Sequence, residues 1–137
     1  MGAITEIIKI NSDDTLSFGN FSLDKKTKVL DFEVDGSFYK AKTFKEVTKL
    51  KKDGKLVYES IPGTQVHHFS VQDKGARFFI EGYAPTQITL ELEPNTDYEL
   101  KIDKEFINTV TTTSTGKVNI TVVATDDEKL IELYHRA

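Results

Sequence analysis

Leu92-Glu93-Pro94-Asn95-Thr96-Asp97-Tyr98 is the stretch whose reading decides the fold. Before it Ile88, Leu90 and Leu92 alternate with polar residues, and after it Tyr98, Leu100 and Ile102 do the same. A period of two is that of a strand with one face in a core, so two half-buried strands meet here. Pro94 has no amide to give to a ladder and Asn95 tolerates a left-handed backbone, so the chain leaves one strand at Leu92 and enters another at Tyr98. As a corner, the stretch puts the two strands in different sheets; as a hairpin, it pairs Leu92 with Tyr98.

On its N-terminal side the punctuation is that of hairpins. Asp35-Gly36 supplies the positive φ pair of a two-residue turn between 28 and 44, which predicts Val34 opposite Ser37, Phe32 opposite Tyr39, Leu30 opposite Ala41 and, on the other face, Asp31 opposite Lys40. Asp53-Gly54 repeats the turn and predicts Leu50 with Val57 and Lys49 with Tyr58, in a hairpin with mixed faces that projects from the core. Asp73-Lys74-Gly75 reads as a three-residue loop that brings Phe69 to Phe79 and His67 to Glu81. Upstream, Ile4, Ile7, Ile8 and Ile10 suit a strand, and Leu16, Phe18, Phe21 and Leu23 around Gly19-Asn20 read as two short strands or one bulged strand.

On the C-terminal side, Asp103-Lys104-Glu105 is a turn without glycine. Ser114-Thr115-Gly116 then predicts a hairpin with Val110 and Thr112 facing Ile120 and Val118. Residues 125–136 start like a capped helix at Thr125-Asp126-Asp127-Glu128, yet Ile131 and Leu133 suit a closing strand, and the strand is the preferred reading because a lone three-turn helix is marginal. About ten strands, no firm helix and turns every eight to twelve residues predict an all-β antiparallel sandwich.

The 137 residues suit one domain, 1–137, with a sub-boundary near 60–63 between N-terminal hairpins, 1–60, and a sandwich, 61–137. There is no cysteine, hence no disulfide and no thiolate site, and no apolar run long enough to insert in a membrane. Residues 1–6 lack the basic start and apolar run of a signal peptide. The net charge of −4 is uneven: Lys40 to Lys55 holds seven lysines against Glu46 and Asp53, leaving the acidic excess to the remainder. Such asymmetry fits a polyanion site, a self-complementary surface or a lysine-protected sheet edge.

Leu92-x-Pro94-x-Thr96-x-Tyr98 resembles the corner segment of fibronectin type III and immunoglobulin-like domains, with Asn95 where that family usually has glycine. The resemblance implies a Tyr98 hydroxyl bonded back to upstream backbone. Gly82 to Leu133 also resembles small C-terminal β-sandwich modules of secreted bacterial polysaccharide-degrading enzymes, a likeness that carries no functional residue with it.

No GxSxG, HExxH, Walker or GxGxxG pattern occurs, so an enzyme is not expected, nor a cofactor or metal. His67 with Glu81 is the best acid–base pair, but a satisfied strand-end histidine explains it better; His68 is expected on the opposite face. Glu91 and Glu93 share a solvent face, and neither Asp13-Asp14 nor Asp126-Asp127-Glu128 has the ligand spacing of a calcium loop. The candidate binding surfaces are a hydroxyl and amide face of Thr109, Thr111, Thr113, Asn119 and Thr121, and the lysine hairpin, with Lys49 and Lys51 and with Tyr58 or Tyr39 as an aromatic platform. The lysines lack the aromatic interleaving of a nucleic-acid site. The expected function is a non-catalytic structural or interaction module that assembles with itself or another protein in an extracellular, filamentous or virion setting. The alternative is a carbohydrate-binding module for an acidic polysaccharide.

Overall fold

The computed structural model describes residues 7–135; the first part of the isoleucine-rich strand expected from Ile4 lies outside them. Among the described residues there are thirteen strands and no helix. They are β1 (Ile8–Ile10), β2 (Leu16–Phe18), β3 (Thr27–Val34), β4 (Ser37–Phe44), β5 (Val47–Lys52), β6 (Lys55–Ile61), β7 (Gln65–Gln72), β8 (Gly75–Glu81), β9 (Pro85–Glu91), β10 (Asp97–Ile102), β11 (Glu105–Thr111), β12 (Lys117–Val123) and β13 (Lys129–Tyr134). They form two antiparallel sheets, β1-β2-β7-β8-β13-β10-β11 and β12-β9-β6-β5-β4-β3. The expected all-β sandwich is therefore the fold, and residues 129–134 are a strand, since Ile131 and Leu133 alternate into the core. Among the described residues no helix is long and apolar enough to cross a membrane.

Leu92 to Tyr98 is a corner, because β9 belongs to the second sheet and β10 to the first. Asn95 takes the left-handed φ of 52°. The Glu93 amide donates to the Tyr98 hydroxyl at 3.1 Å, the bond back to upstream backbone that the resemblance implied.

The Ser114 to Gly116 segment departs from expectation. It is no hairpin: β11 pairs with β10 at the edge of the first sheet, and β12 pairs with β9 at the edge of the second. Thr112 explains the difference. Its buried hydroxyl accepts from the Thr96 amide (2.9 Å) and donates to the Glu93 carbonyl (2.6 Å), tying this crossing to the corner. The Asn95 amide also donates to the Thr113 carbonyl at 3.0 Å. Tyr98→Phe removes one partner of one amide and is expected to cost about 1 kcal/mol, whereas Thr112→Val orphans two backbone groups and costs about 2–3 kcal/mol. Urea unfolding of the two variants measures that order.

Both Asp-Gly turns form, with positive φ at both residues (50° and 83°, 49° and 83°). The registers slip inside the hairpins, at bulges that a turn cannot announce. Val34 opposes Ser37 and Phe32 opposes Tyr39 as expected, but Asp31 takes φ 56°, so Val29 faces Ala41 in place of Leu30 and the expected Asp31–Lys40 pairing is lost. In the next hairpin Leu50 faces Tyr58 and Lys49 faces Glu59. That hairpin does not project: β5 and β6 are central strands, and Leu50 and Tyr58 are fully buried. Asp73-Lys74 closes a two-residue loop. A bulge at His68 (φ 54°) then sets His67, not Phe69, opposite Phe79.

Tyr58 packs edge-on against Phe18, Phe69 and Phe78, with centroids 5.3–5.8 Å away. Its hydroxyl meets Thr64 Oγ1 at 2.8 Å, which also meets Ser60 Oγ at 2.9 Å; Thr48 Oγ1 donates to the Thr64 carbonyl at 2.8 Å and contacts Thr43 Oγ1 at 2.8 Å. Burial pushes the Tyr58 phenol up to about 12. The folded protein thus holds this proton above pH 10, where the unfolded chain releases it, so the stability from this group is complete below pH 10 and is lost toward pH 12, by roughly 3 kcal/mol. Urea midpoints across this range are expected to fall more steeply for the wild type than for Tyr58→Phe.

Candidate functional site

The second sheet turns one face to the core through Ala41, Thr43, Thr48, Leu50, Tyr58, Ser60, Ile88 and Leu90. Strand alternation sends their neighbours to solvent. The observed registers align those neighbours in a transverse row, Lys28–Lys42–Lys49–Glu59–Thr89–Asn119, one residue per strand. Lys40 lies opposite Lys51 in the next row. Lys26 joins the face from before β3, its amine 5.9 Å from the centre of the Phe44 ring.

Three lysines directly opposite one another weaken a sheet. Glu59 answers Lys49 at 3.3 Å, and no described carboxylate forms an ion pair with Lys28 or Lys42. Partial burial first, then the charges of Lys49, Lys26 and Lys28, hold the Lys42 amine below its ordinary range. Beside the rows Phe38 stands 48% exposed, at a hollow of about 490 Å3 shared with Leu30, Asp31, Tyr39, Lys40 and Lys51. Its edge is fixed by Asp53, whose carboxylate accepts from the Phe38 amide at 2.9 Å.

Of the candidate residues read from the sequence, Lys49, Lys51, Asn119 and Thr121 share this outer face. Tyr58 does not: full burial and its bond to Thr64 make it a core residue, so it is no platform. Tyr39 lies on the inward-facing side of β4 with the Lys52 amine 6.0 Å from its ring. The hydroxyl surface is divided. Thr109 and Thr111 sit on β11 of the first sheet, Thr111 donating to Asp97 Oδ1 at 2.6 Å, while Thr113 caps the crossing by accepting from the Lys117 amide at 3.1 Å. The residues missed were Phe38, Lys40 and Lys42, which alternate along β4, and Lys28, which joins their face only across the bulge in β3.

The first sheet carries the histidines. The bulge turns both outward, since Val66 and Phe69 on either side are buried; the expected opposition of His67 and His68 is corrected accordingly. They have different partners. His67 Nε2 lies 2.8 Å from Glu81 Oε1 and 3.9 Å from Glu128 Oε2. His68 Nδ1 lies 2.9 Å from Asp13 Oδ2 and 3.2 Å from Thr15 Oγ1. Hydrogen bonds from the Thr15 hydroxyl and amide, then His68, hold the Asp13 carboxyl below its usual range. Asp13 is thus a turn-fixing acid. Comparison of the chain with protein-family models, curated proteins and solved structures finds no match.

Proposed function

We propose that the protein is a non-catalytic interaction module, built as an immunoglobulin- or fibronectin-like sandwich, whose working surface is the outer face of the second sheet and whose partner is an acidic polysaccharide. The observation that carries this reading is the Lys28–Lys42–Lys49 row, a like-charge alignment that costs the sheet stability and that an anionic chain laid across the strands would neutralise. Phe38 beside it offers an apolar ring face for a sugar, and Asn119 and Thr89 continue the row with amide and hydroxyl groups. The Tyr98 corner supports the family likeness.

The test is titration with polygalacturonate, a neutral glucan and single-stranded DNA of similar length, at low and high salt. Binding of polygalacturonate alone, weakened by salt, supports the reading; equal binding of DNA overturns the sugar partner, and no binding overturns the site. Light scattering in the same titration separates binding to a soluble polymer from assembly with another copy or with a protein partner.

A further inference from the structure

We infer that His67, Glu81 and Glu128 form a binding site for a divalent transition-metal ion of the zinc type, on the sheet opposite the lysine face. The site is assembled from three neighbouring strands. His67 lies on β7, Glu81 ends β8, and Glu128 immediately precedes β13, one position beyond the Lys129–Ile80 pair. One donor atom from each residue falls within 4.8 Å of the others, with 2.8 and 3.9 Å from His67 Nε2 to the two carboxylates. Zinc bonds of about 2.0–2.2 Å at tetrahedral angles require donors roughly 3.3 Å apart, so small side-chain rotations centre an ion among the three.

Charge favours the same conclusion. Two carboxylates converge on one imidazole nitrogen, and Lys129, next to Glu128 in the chain, donates its Nζ to the Val123 carbonyl at 2.6 Å. A single imidazole proton serves one carboxylate at 2.8 Å, whereas a divalent ion serves both. The imidazole donor selects against calcium and magnesium, which take oxygen ligands. All three side chains are partly exposed, which leaves the fourth position to water or to a donor from a partner.

Calorimetric titration of the full chain with zinc chloride near neutral pH is expected to give one site of micromolar affinity. At a hundredfold excess over Kd the melting temperature rises by about 5 °C or more. His67→Ala and Glu128→Gln, each first checked for unchanged melting without metal, are expected to weaken binding at least tenfold, whereas His68→Ala leaves it unchanged and calcium does not compete. Absence of zinc binding at millimolar concentration, or binding that survives His67→Ala or depends on His68, overturns the site.

Discussion

Replacing Lys42 and Lys49 together by glutamate is expected to weaken binding of an acidic polysaccharide on the order of 100-fold at low salt, and to flatten its salt dependence. The size follows from position. The two residues are neighbours in the transverse row, so reversal replaces two adjacent attractions by two repulsions where the polymer crosses the strands. A structural role predicts the opposite sign from a binding role, which makes the experiment decisive. Lys42 is partly buried and then crowded by Lys49, Lys26 and Lys28, so the folded state holds its proton less tightly than the unfolded chain does. Below its lowered pKa that cost is fully present, and it is relieved as pH rises toward the ordinary lysine range. Lys42→Gln should therefore leave the fold as stable or slightly more stable while binding falls. A variant that loses stability and keeps its affinity would make the row architectural. Phe38→Ala should weaken polysaccharide binding about tenfold without altering the salt dependence, because it removes a ring face and no charge.

Gly75→Ala is expected to be the most damaging single methyl added to the protein, costing on the order of 4 kcal/mol or more. Gly75 has φ +150° and pairs with Tyr134 where β8 meets β13; a Cβ there would lie 1.7 Å from the Leu133 carbonyl oxygen and 2.8 Å from its carbon. Backbone is what it meets, so no rotamer change relieves it, and the two strands must separate in the middle of the first sheet. Stabilities of natural domains are about 5–15 kcal/mol, so the loss would consume much of the total. Gly36→Ala is the control. It also has positive φ, +83°, but nothing lies within 4 Å of the added carbon, so only the conformational cost of about 1–2 kcal/mol is expected. Urea midpoints of the two variants should differ widely. Near-equal midpoints would mean that β8 and β13 do not approach as described.

The features legible in the sequence are those decided within a few residues. Pro94 and Asn95 announce the corner, and Asp35-Gly36 and Asp53-Gly54 announce their turns, because positive φ and a missing amide are properties of the residues themselves. Bulges at Asp31 and His68 are not announced, since each is set by how the partner strand packs. Ser114-Thr115-Gly116 misleads for a related reason. The same loop chemistry serves a hairpin or a crossing between sheets, and the choice rests on the distant partners of Thr112. The candidate site inherits these limits: Lys49 and Lys51 stand out by composition, but their alignment with Lys28 and Lys42 depends on registers summed across three strands. Glu128 joins His67 only because β13 inserts between β8 and β10, far from both in sequence.

The transverse row also makes the sheet a ruler. Neighbouring strands are about 4.8 Å apart, so the Cα positions of Lys28, Lys42 and Lys49 span about 10 Å at an interval set by backbone hydrogen bonds and not by flexible loops. A polymer lying along the strands would meet a coarser spacing than one lying across them. The protein would thereby select its partner by the interval between anionic groups, a property of the repeat and not of any single sugar.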